Sequence, residues 1–270
     1  MLAIKNNIMA ANAARHLSQS YDALAQSVER LSSGLRINTA KDDAAGLAVR
    51  ELMRADIGVL QQGARNAQDG ISLLQTAEGG MQNIDNLLVR MKQLAEQAST
   101  GTYTDDQRTI MNNEFTELGL EIERIAGAAK FNGNSLLNSA TGTISVNFGT
   151  SDDQITVYMK DMTQSGLGIN AVSIASDTSA QSALAVLDTA IGDATEARAD
   201  FGAKMNRLST TVEVLNIQAE NLMTAESRIS DVDVATEMAS MTRNQVLAQA
   251  GISMLAQANM MPQMALTLLR

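Results

Sequence analysis

The sequence predicts a mainly α fold, a long antiparallel helical coiled-coil bundle with a small β-hairpin region. Three observations carry that expectation. Apolar residues recur alternately at every third and fourth position over most of the chain, the signature of helices with one adhesive stripe. A single proline, Pro262, stands among 270 residues, so little in the chain forbids long helices. Aromatic residues make up only 3% and tryptophan is absent, which leaves Ala, Leu, Ile, Val and 16 Met to form the interior. Those side chains suit narrow helix seams better than a thick globular core.

The first seam runs from Ala10 through Ala14, Leu17, Tyr21, Leu24, Val28, Leu31 and Leu35. Gly34 and the polar run Asn38-Thr39-Ala40-Lys41-Asp42-Asp43 end it with residues that terminate one helix and cap the next. A longer seam follows over Ile57, Leu60, Ala64, Ala67, Ile71 and Leu74, then Ala77, Met81, Ile84, Leu88, Met91, Ala95 and Ala98, with one residue skipped near Gly79-Gly80. A helix over about 44–99 would be roughly 80 Å long. Thr104-Asp105-Asp106-Gln107 has capping-box spacing, and Met111, Phe115, Leu118, Ile122, Ile125 and Ala129 continue the rhythm into a shorter antiparallel helix.

Between about 139 and 179 the texture changes to Ser, Thr and Gly. The period-two runs Ile144/Val146/Phe148 and Ile155/Val157/Met159 flank a turn-rich stretch and predict a β-hairpin. Helical spacing resumes from Leu184 to Leu222, broken only where Arg198 occupies a seam position. After the cap-like Ser230-Asp231-Val232-Asp233, the last helix repeats Leu247, Met254, Met261 and Leu268 every seven residues, with Gly251, Ala258 and Ala265 between them. Small residues there permit close helix approach. The two end helices offer seams that bury little alone, so their folding is expected to be coupled to assembly.

Several function classes are disfavoured. A net charge of −10 without a basic stripe argues against a nucleic-acid partner. Asn244–Leu269 carries no charge, but its Asn and Gln residues and Pro262 interrupt it too often for a membrane span. The N-terminal residues lack the basic lead and apolar stretch of a cleavable secretory signal. No catalytic, metal or cofactor site is expected: the only histidine is His16, and there is no cysteine. The pairs Asp42/Asp43, Asp105/Asp106 and Asp152/Asp153 sit where carboxylates satisfy free backbone N–H groups at helix starts or a turn. Met254, Met260, Met261 and Met264 fit either oligomer packing or a chaperone-binding face.

Longer motifs go further than heptads. Leu31-Ser32-Ser33-Gly34-Leu35-Arg36-Ile37-Asn38 followed by Lys41-Asp42-Asp43-Ala44-Ala45-Gly46-Leu47-Ala48 resembles the N-terminal signature of bacterial flagellins. Arg65-Asn66-Ala67-Gln68-Asp69-Gly70, Gln75-Thr76-Ala77-Glu78-Gly79 and Phe131-Asn132-Gly133 resemble the same family in the same order. So do Ser227 to Asp233, Gln249-Ala250-Gly251, Leu255-Ala256-Gln257-Ala258-Asn259 and the ending Pro262 to Arg270. The likeness covers about 1–138 and 180–270 and implies a short flagellin with little or no variable outer domain.

The resemblance implies that residues 1–43 and 230–270 form a paired N/C-terminal helical coiled coil lining an inner tube, and that 44–229 form a rod-like helical domain with the hairpin. It implies self-polymerisation into the hollow helical flagellar filament, outside the cell, after type III export. The assembly seam would comprise Leu17, Tyr21, Leu24, Val28, Leu31 and Leu35 with Leu247, Gly251, Met254, Ala258, Met261, Ala265 and Leu268. Implied partners are copies of the chain itself, a flagellar export chaperone contacting Met254, Leu255 and Leu266, and the filament cap and hook-junction proteins. Many flagellins are also sensed by a Toll-like receptor through a Gln-Arg-x-Arg-Glu-Leu motif. Val89-Arg90-Met91-Lys92-Gln93-Leu94 matches it at Arg90 and Leu94, with Glu114 on the next helix, and departs at Val89, Lys92 and Gln93. The rival readings are a hook–filament junction protein and, from a different class, a secreted pore-forming translocator.

Overall fold

The computed structural model describes residues 6–138, 142–149 and 153–268; at 262, 263 and 265–268 only the backbone is described. Contacts gather into two compact units, residues 1–57 with 220–270 and residues 58–219, here called the terminal and central units. Their limits fall inside two long helices, α2 (Ala44–Ala98) and α4 (Asp177–Ser230). The breaks between helices lie instead near residues 34–43 and 231–233, where the sequence places caps.

In the terminal unit, α1 (Ile8–Ser33) starts at Asn7, whose side-chain oxygen accepts from the Ala10 amide at 3.1 Å. It stops at Gly34, whose φ of +74° is the left-handed conformation that glycine adopts without steric cost. The last helix, α5 (Val234–Leu268), begins behind Asp233, whose carboxylate accepts from the Ala235 amide and the Thr236 hydroxyl. Helices α1 and α5 pack antiparallel: the Asn7 side-chain amide donates to the Ala258 carbonyl at 2.8 Å, and at the other end Arg30 lies 3.7 Å from Glu237.

The joint beside these helices is held by backbone pairing that no heptad announces. Leu35 bridges antiparallel to Asp231, the Arg36 amide donates to the Ser230 carbonyl at 2.6 Å, and the Val232 amide donates to the Gly34 carbonyl at 3.0 Å. Asp42 folds the following turn by accepting from the Asn38 and Thr39 amides and the Thr39 hydroxyl. Asp43 caps α2 through the Gly46 amide. Arg50, buried, donates to the Ile37 carbonyl at 2.7 Å and so ties the first turns of α2 to the joint.

In the central unit the expected seam of α2 is the observed one. Ala64, Ala67, Leu74, Ala77, Met81, Ile84, Leu88, Met91, Ala95 and Ala98 are all buried. They meet Phe115 and Ile122 of α3 (Asp105–Ala128) and Leu187, Ala194, Phe201 and Leu208 of α4. α3 carries the expected capping box, with Thr104 and Gln107 satisfying each other's amides. Both α3 and α4 run antiparallel to α2, as the ion pairs Arg90–Glu114, Lys92–Asp188 and Arg198–Asp85 require. α2 continues without a break through Gly79-Gly80; at Gly80 an added Cβ would lie 2.9 Å from Leu137 Cδ1, so the slip admits a close neighbour.

The expected hairpin forms from β3 (Thr143–Asn147) and β4 (Gln154–Tyr158), with Ile144 opposite Val157 and Val146 opposite Ile155. It lies against glycines of α2. A Cβ at Gly63 would overlap the Phe148 carbonyl oxygen, one at Gly70 would lie 2.9 Å from Val146, and the Asn66 side chain donates to the Asn147 carbonyl at 2.9 Å. The remainder of 139–179 differs from the expectation: residues 159–176 form turns, pinned where Asn112 of α3 accepts from the Ser173 hydroxyl and the Ile174 amide. A further two-residue ribbon, β1 (Lys130–Phe131) paired with β2 (Asn134–Ser135), turns through Asn132 and Gly133 at φ +48° and +82°. Asn-Gly is the dipeptide that supplies two such residues in a tight hairpin.

Candidate assembly interface

The paired helices α1 and α5 present the surface on which a subunit contact would be built, and the structure revises which residues face which way. Ala10, Leu17, Leu24 and Leu31 of the predicted seam are half-buried against α5. The second row turned inward is Ala13, Ser20 and Ser27, whereas Tyr21 and Val28, expected in the seam, are exposed. The reason lies across the interface. An added Cβ at Gly251 would stand 3.1 Å from Leu17 Cδ1, so the helices approach closely. The row beside the leucines is therefore small, and bulky Tyr21 and Val28 are rotated out of the contact.

α5 shows the same inversion. Gly251 and Ala258 face α1 with Ala248 and Leu255, and Met261 is half-buried. Leu247 and Met254 instead stand 50% and 62% exposed. Leu255, expected as a chaperone contact beside Met254, is partly covered by α1. Leu35 is half-buried in the strand-like bridge to Asp231 rather than in a helix seam. The side chains of Ala265, Leu266 and Leu268 lie outside the described residues.

The outward surface of α5 is apolar to an extent that a solvated helix does not sustain. Val234, Met238, Val246, Leu247, Ile252, Met254 and Met260 are exposed around it. Glu237 and Arg243 are the helix's only charges. Met238, Ala239, Thr242, Arg243, Val246 and Leu247 line a shallow groove along one side. Large apolar side chains left open on several sides of one helix mark a surface that further partners bury. On the adjoining face of the pair, Tyr21 and Val28 add bulk to the uncovered surface.

The charged groups hold the framework in shape. Asp42 and Asp233 are kept below the usual carboxylate range, Asp42 chiefly by hydrogen bonds from Thr39 and Asp233 chiefly by those from Thr236. Glu51 is lowered chiefly by the Arg50 guanidinium. In the central unit Arg198, the charge that interrupts the α4 seam, donates to Glu78 at 2.9 Å and Asp85 at 2.7 Å, which raises its own pKa. A seam position that the sequence marks as broken is thus filled by a three-membered ion cluster. Arg108 is buried and donates to the Ala98 and Thr100 carbonyls and to Asp105, closing the turn between α2 and α3. Neither its role nor that of Arg50 has a local sequence signal, since both act on carbonyls brought close by folding. Among the described residues no cluster of potential metal ligands forms, and no helix is long and apolar enough to cross a membrane.

The three residues matched to receptor sensing are separated by the fold. Arg90 and Glu114 are half-exposed and paired at 2.7 Å across α2 and α3. Leu94 is only 2% exposed and packs in the core, so the expectation that it contacts a receptor is corrected: its surface is already covered by this chain.

Comparison with known proteins agrees with this architecture. Residues 4–141 match the model of the bacterial flagellin N-terminal helical region, and residues 184–269 match that of the C-terminal helical region. The chain is 43% identical over 270 residues to a flagellin of Halalkalibacterium halodurans, covering 99% of both chains. It is 40% identical to the flagellar filament 31.3 kDa core protein of Treponema maltophilum, again over 99% of both. The crystal structure of Bacillus cereus flagellin superposes with a TM-score of 0.52 at 31% identity, over 60% of this chain and 94% of that one.

Proposed function

The chain belongs to the bacterial flagellin family and is a structural subunit of the flagellar filament, and from that premise we propose that it polymerises through the outward faces of its paired terminal helices. The observation that carries this reading is the mismatch on α5, where large apolar residues stand exposed on the sides that α1 leaves open. In the proposed arrangement residues 1–43 and 230–270 form the inner-tube domain and 44–229 the rod domain. Leu17, Leu24, Leu31, Gly251 and Ala258 hold the pair together within one subunit. Tyr21, Val28, Leu247 and Met254 meet neighbouring copies. Because identical subunits make non-closing head-to-tail contacts, growth yields a tube, and burial of one face by several neighbours makes addition cooperative.

Before assembly the same surface needs cover. An export chaperone that holds the C-terminal segment through Met254, Leu255 and Leu266 would supply it, with release at the growing tip beneath the cap and with hook-junction proteins seating the first subunits. The filament stands outside the cell, reached by type III export. Receptor sensing of this chain would proceed through Arg90 and Glu114. Electron microscopy of purified chain mixed with short filament seeds tests the central reading. Long tubes are expected from the intact chain and none from a chain ending at Asp233; equal growth from both would overturn it.

A further inference from the structure

Six of the 16 methionines fall on α5, at 238, 241, 254, 260, 261 and 264. Four of them, Met238, Met254, Met260 and Met264, stand more open than any methionine of the central unit. Met81, Met91, Met159 and Met162 are sealed in the core at 3% exposure or less. Met254 is open as noted, and Met238 and Met260 are 44% and 52% exposed. Leucine would serve a dry contact about as well, with similar helix propensity. A thioether differs in one respect that matters: its sulfur takes up oxygen and turns polar.

We propose that Met238, Met254 and Met260 form a reversible oxidation site that controls whether the free subunit can polymerise. The oxidant is a peroxide. Its O–O bond breaks as one oxygen atom is transferred to the methionine sulfur, an S–O bond forms, the sulfur is oxidised by two electrons, and the peroxide is reduced to water or an alcohol. The product sulfoxide is a strong hydrogen-bond acceptor with no donor of its own. At Met238 it stands in the groove lined by Val246 and Leu247, and Met254 and Met260 stand exposed farther along the same helix, whose only charges are Glu237 and Arg243. Burying such a group without a partner is unfavourable. That penalty recurs at every oxidised position of every added subunit, so growth stops. Thiol-dependent methionine sulfoxide reductases, one for each sulfoxide epimer, reverse it.

The inference rests on the polymerisation reading, because the same face must be open in the free chain and covered in the lattice. Existing filament would then resist the oxidant that disables the unassembled pool. The test uses full-length chain treated with hydrogen peroxide under native conditions, peptide mass spectrometry of each methionine, and seeded extension followed by electron microscopy. Met238, Met254 and Met260 should oxidise about tenfold faster or more than Met81 and Met91, as exposure directs. Oxidised chain should fail to extend seeds, and the paired reductases should restore extension. A chain with Met238→Leu, Met254→Leu and Met260→Leu should extend seeds after the same treatment; the three single variants, each partly resistant, serve if the triple variant assembles poorly untreated. Equal oxidation of the core methionines, full extension by oxidised wild-type chain, or equal loss in the leucine variants would overturn the proposal. Extension by untreated and oxidised chain alike would overturn it alone, whereas failure of the untreated chain would overturn the polymerisation reading with it.

Discussion

The central and terminal units are written in the same heptad alphabet, yet they use it differently. In the central unit α2 lies against α3, α4 and the hairpin, so each seam position from Ala64 to Ala98 finds cover within the chain. In the terminal unit α1 has α5 for a partner, and the contact accepts the small row Ala13, Ser20 and Ser27 while Tyr21 and Val28 turn away. A three-helix environment satisfies a wide apolar stripe; a two-helix contact satisfies half of one. The other half is surface set aside for further copies.

That contrast can be broken or sharpened by substitution. The largest effect on the folded monomer is expected at a covered seam position: Leu88→Ala should lower unfolding free energy by about 2–5 kcal/mol in denaturant titrations, by lost burial and a residual cavity. Next comes Gly63→Ala, where the new Cβ meets the Phe148 carbonyl and no flexible side chain can yield. A loss of about 1–3 kcal/mol is expected from such overpacking, with faster hydrogen exchange in β3 and β4 as its specific mark. If exchange there were unchanged, the hairpin would not be seated through that glycine.

Arg198→Gln leaves Glu78 and Asp85 facing each other without their cation. Arg198 is about a third exposed, so the expected loss is modest, ~1 kcal/mol, and should shrink with added salt. Smaller still for the monomer is Leu247→Ala, within about 0.5 kcal/mol because the side chain stands in solvent. The same change should nevertheless depress seeded growth strongly. A monomer destabilised as much as by Leu88→Ala would show that Leu247 is already packed before assembly.

Acid should act on the joint between the helices. The carboxyls of Asp42 and Asp233 have folded pKa values below the ordinary 3.8, so the stability they contribute is complete above that value and is lost as pH falls through their lowered ones. Protection of the Thr39 and Ala235 amides, which donate to them, taken against the intrinsic exchange rate at each pH, should fall as pH drops below 3.8 while the α2–α4 core keeps its own. Asp233→Asn should remove most of that pH dependence at Ala235. An unchanged profile in the variant would mean that the cap does not carry it.

Much of this molecule was legible in one dimension because its signals are local. The capping box at Thr104, the stop at Gly34, the hairpin alternation and the seam of α2 all depend on residues within a few positions of each other. Asn132-Gly133 carried an equally local signal for a tight ribbon, but the two strands it joins are too short to show alternation. Arg198 was visible only as a flaw in a pattern. Its acidic partners lie more than a hundred residues away, and no spacing rule relates them.

What the sequence alone determined is where the helices break and where the main hairpin lies, and that each helix carries an apolar stripe to be buried. Which stripe is buried, and by what, was decided by tertiary structure. Heptad spacing defines a stripe about two rows wide, but the distance between partner helices selects the rows that fit, and with Leu17 set against Gly251 the row beside the leucines is the small one of Ala13, Ser20 and Ser27. Leu94 likewise reads as a surface neighbour of Arg90, one turn along the same face, and is core in the fold because the packed chain covers that face at Leu94 and leaves it open at Arg90.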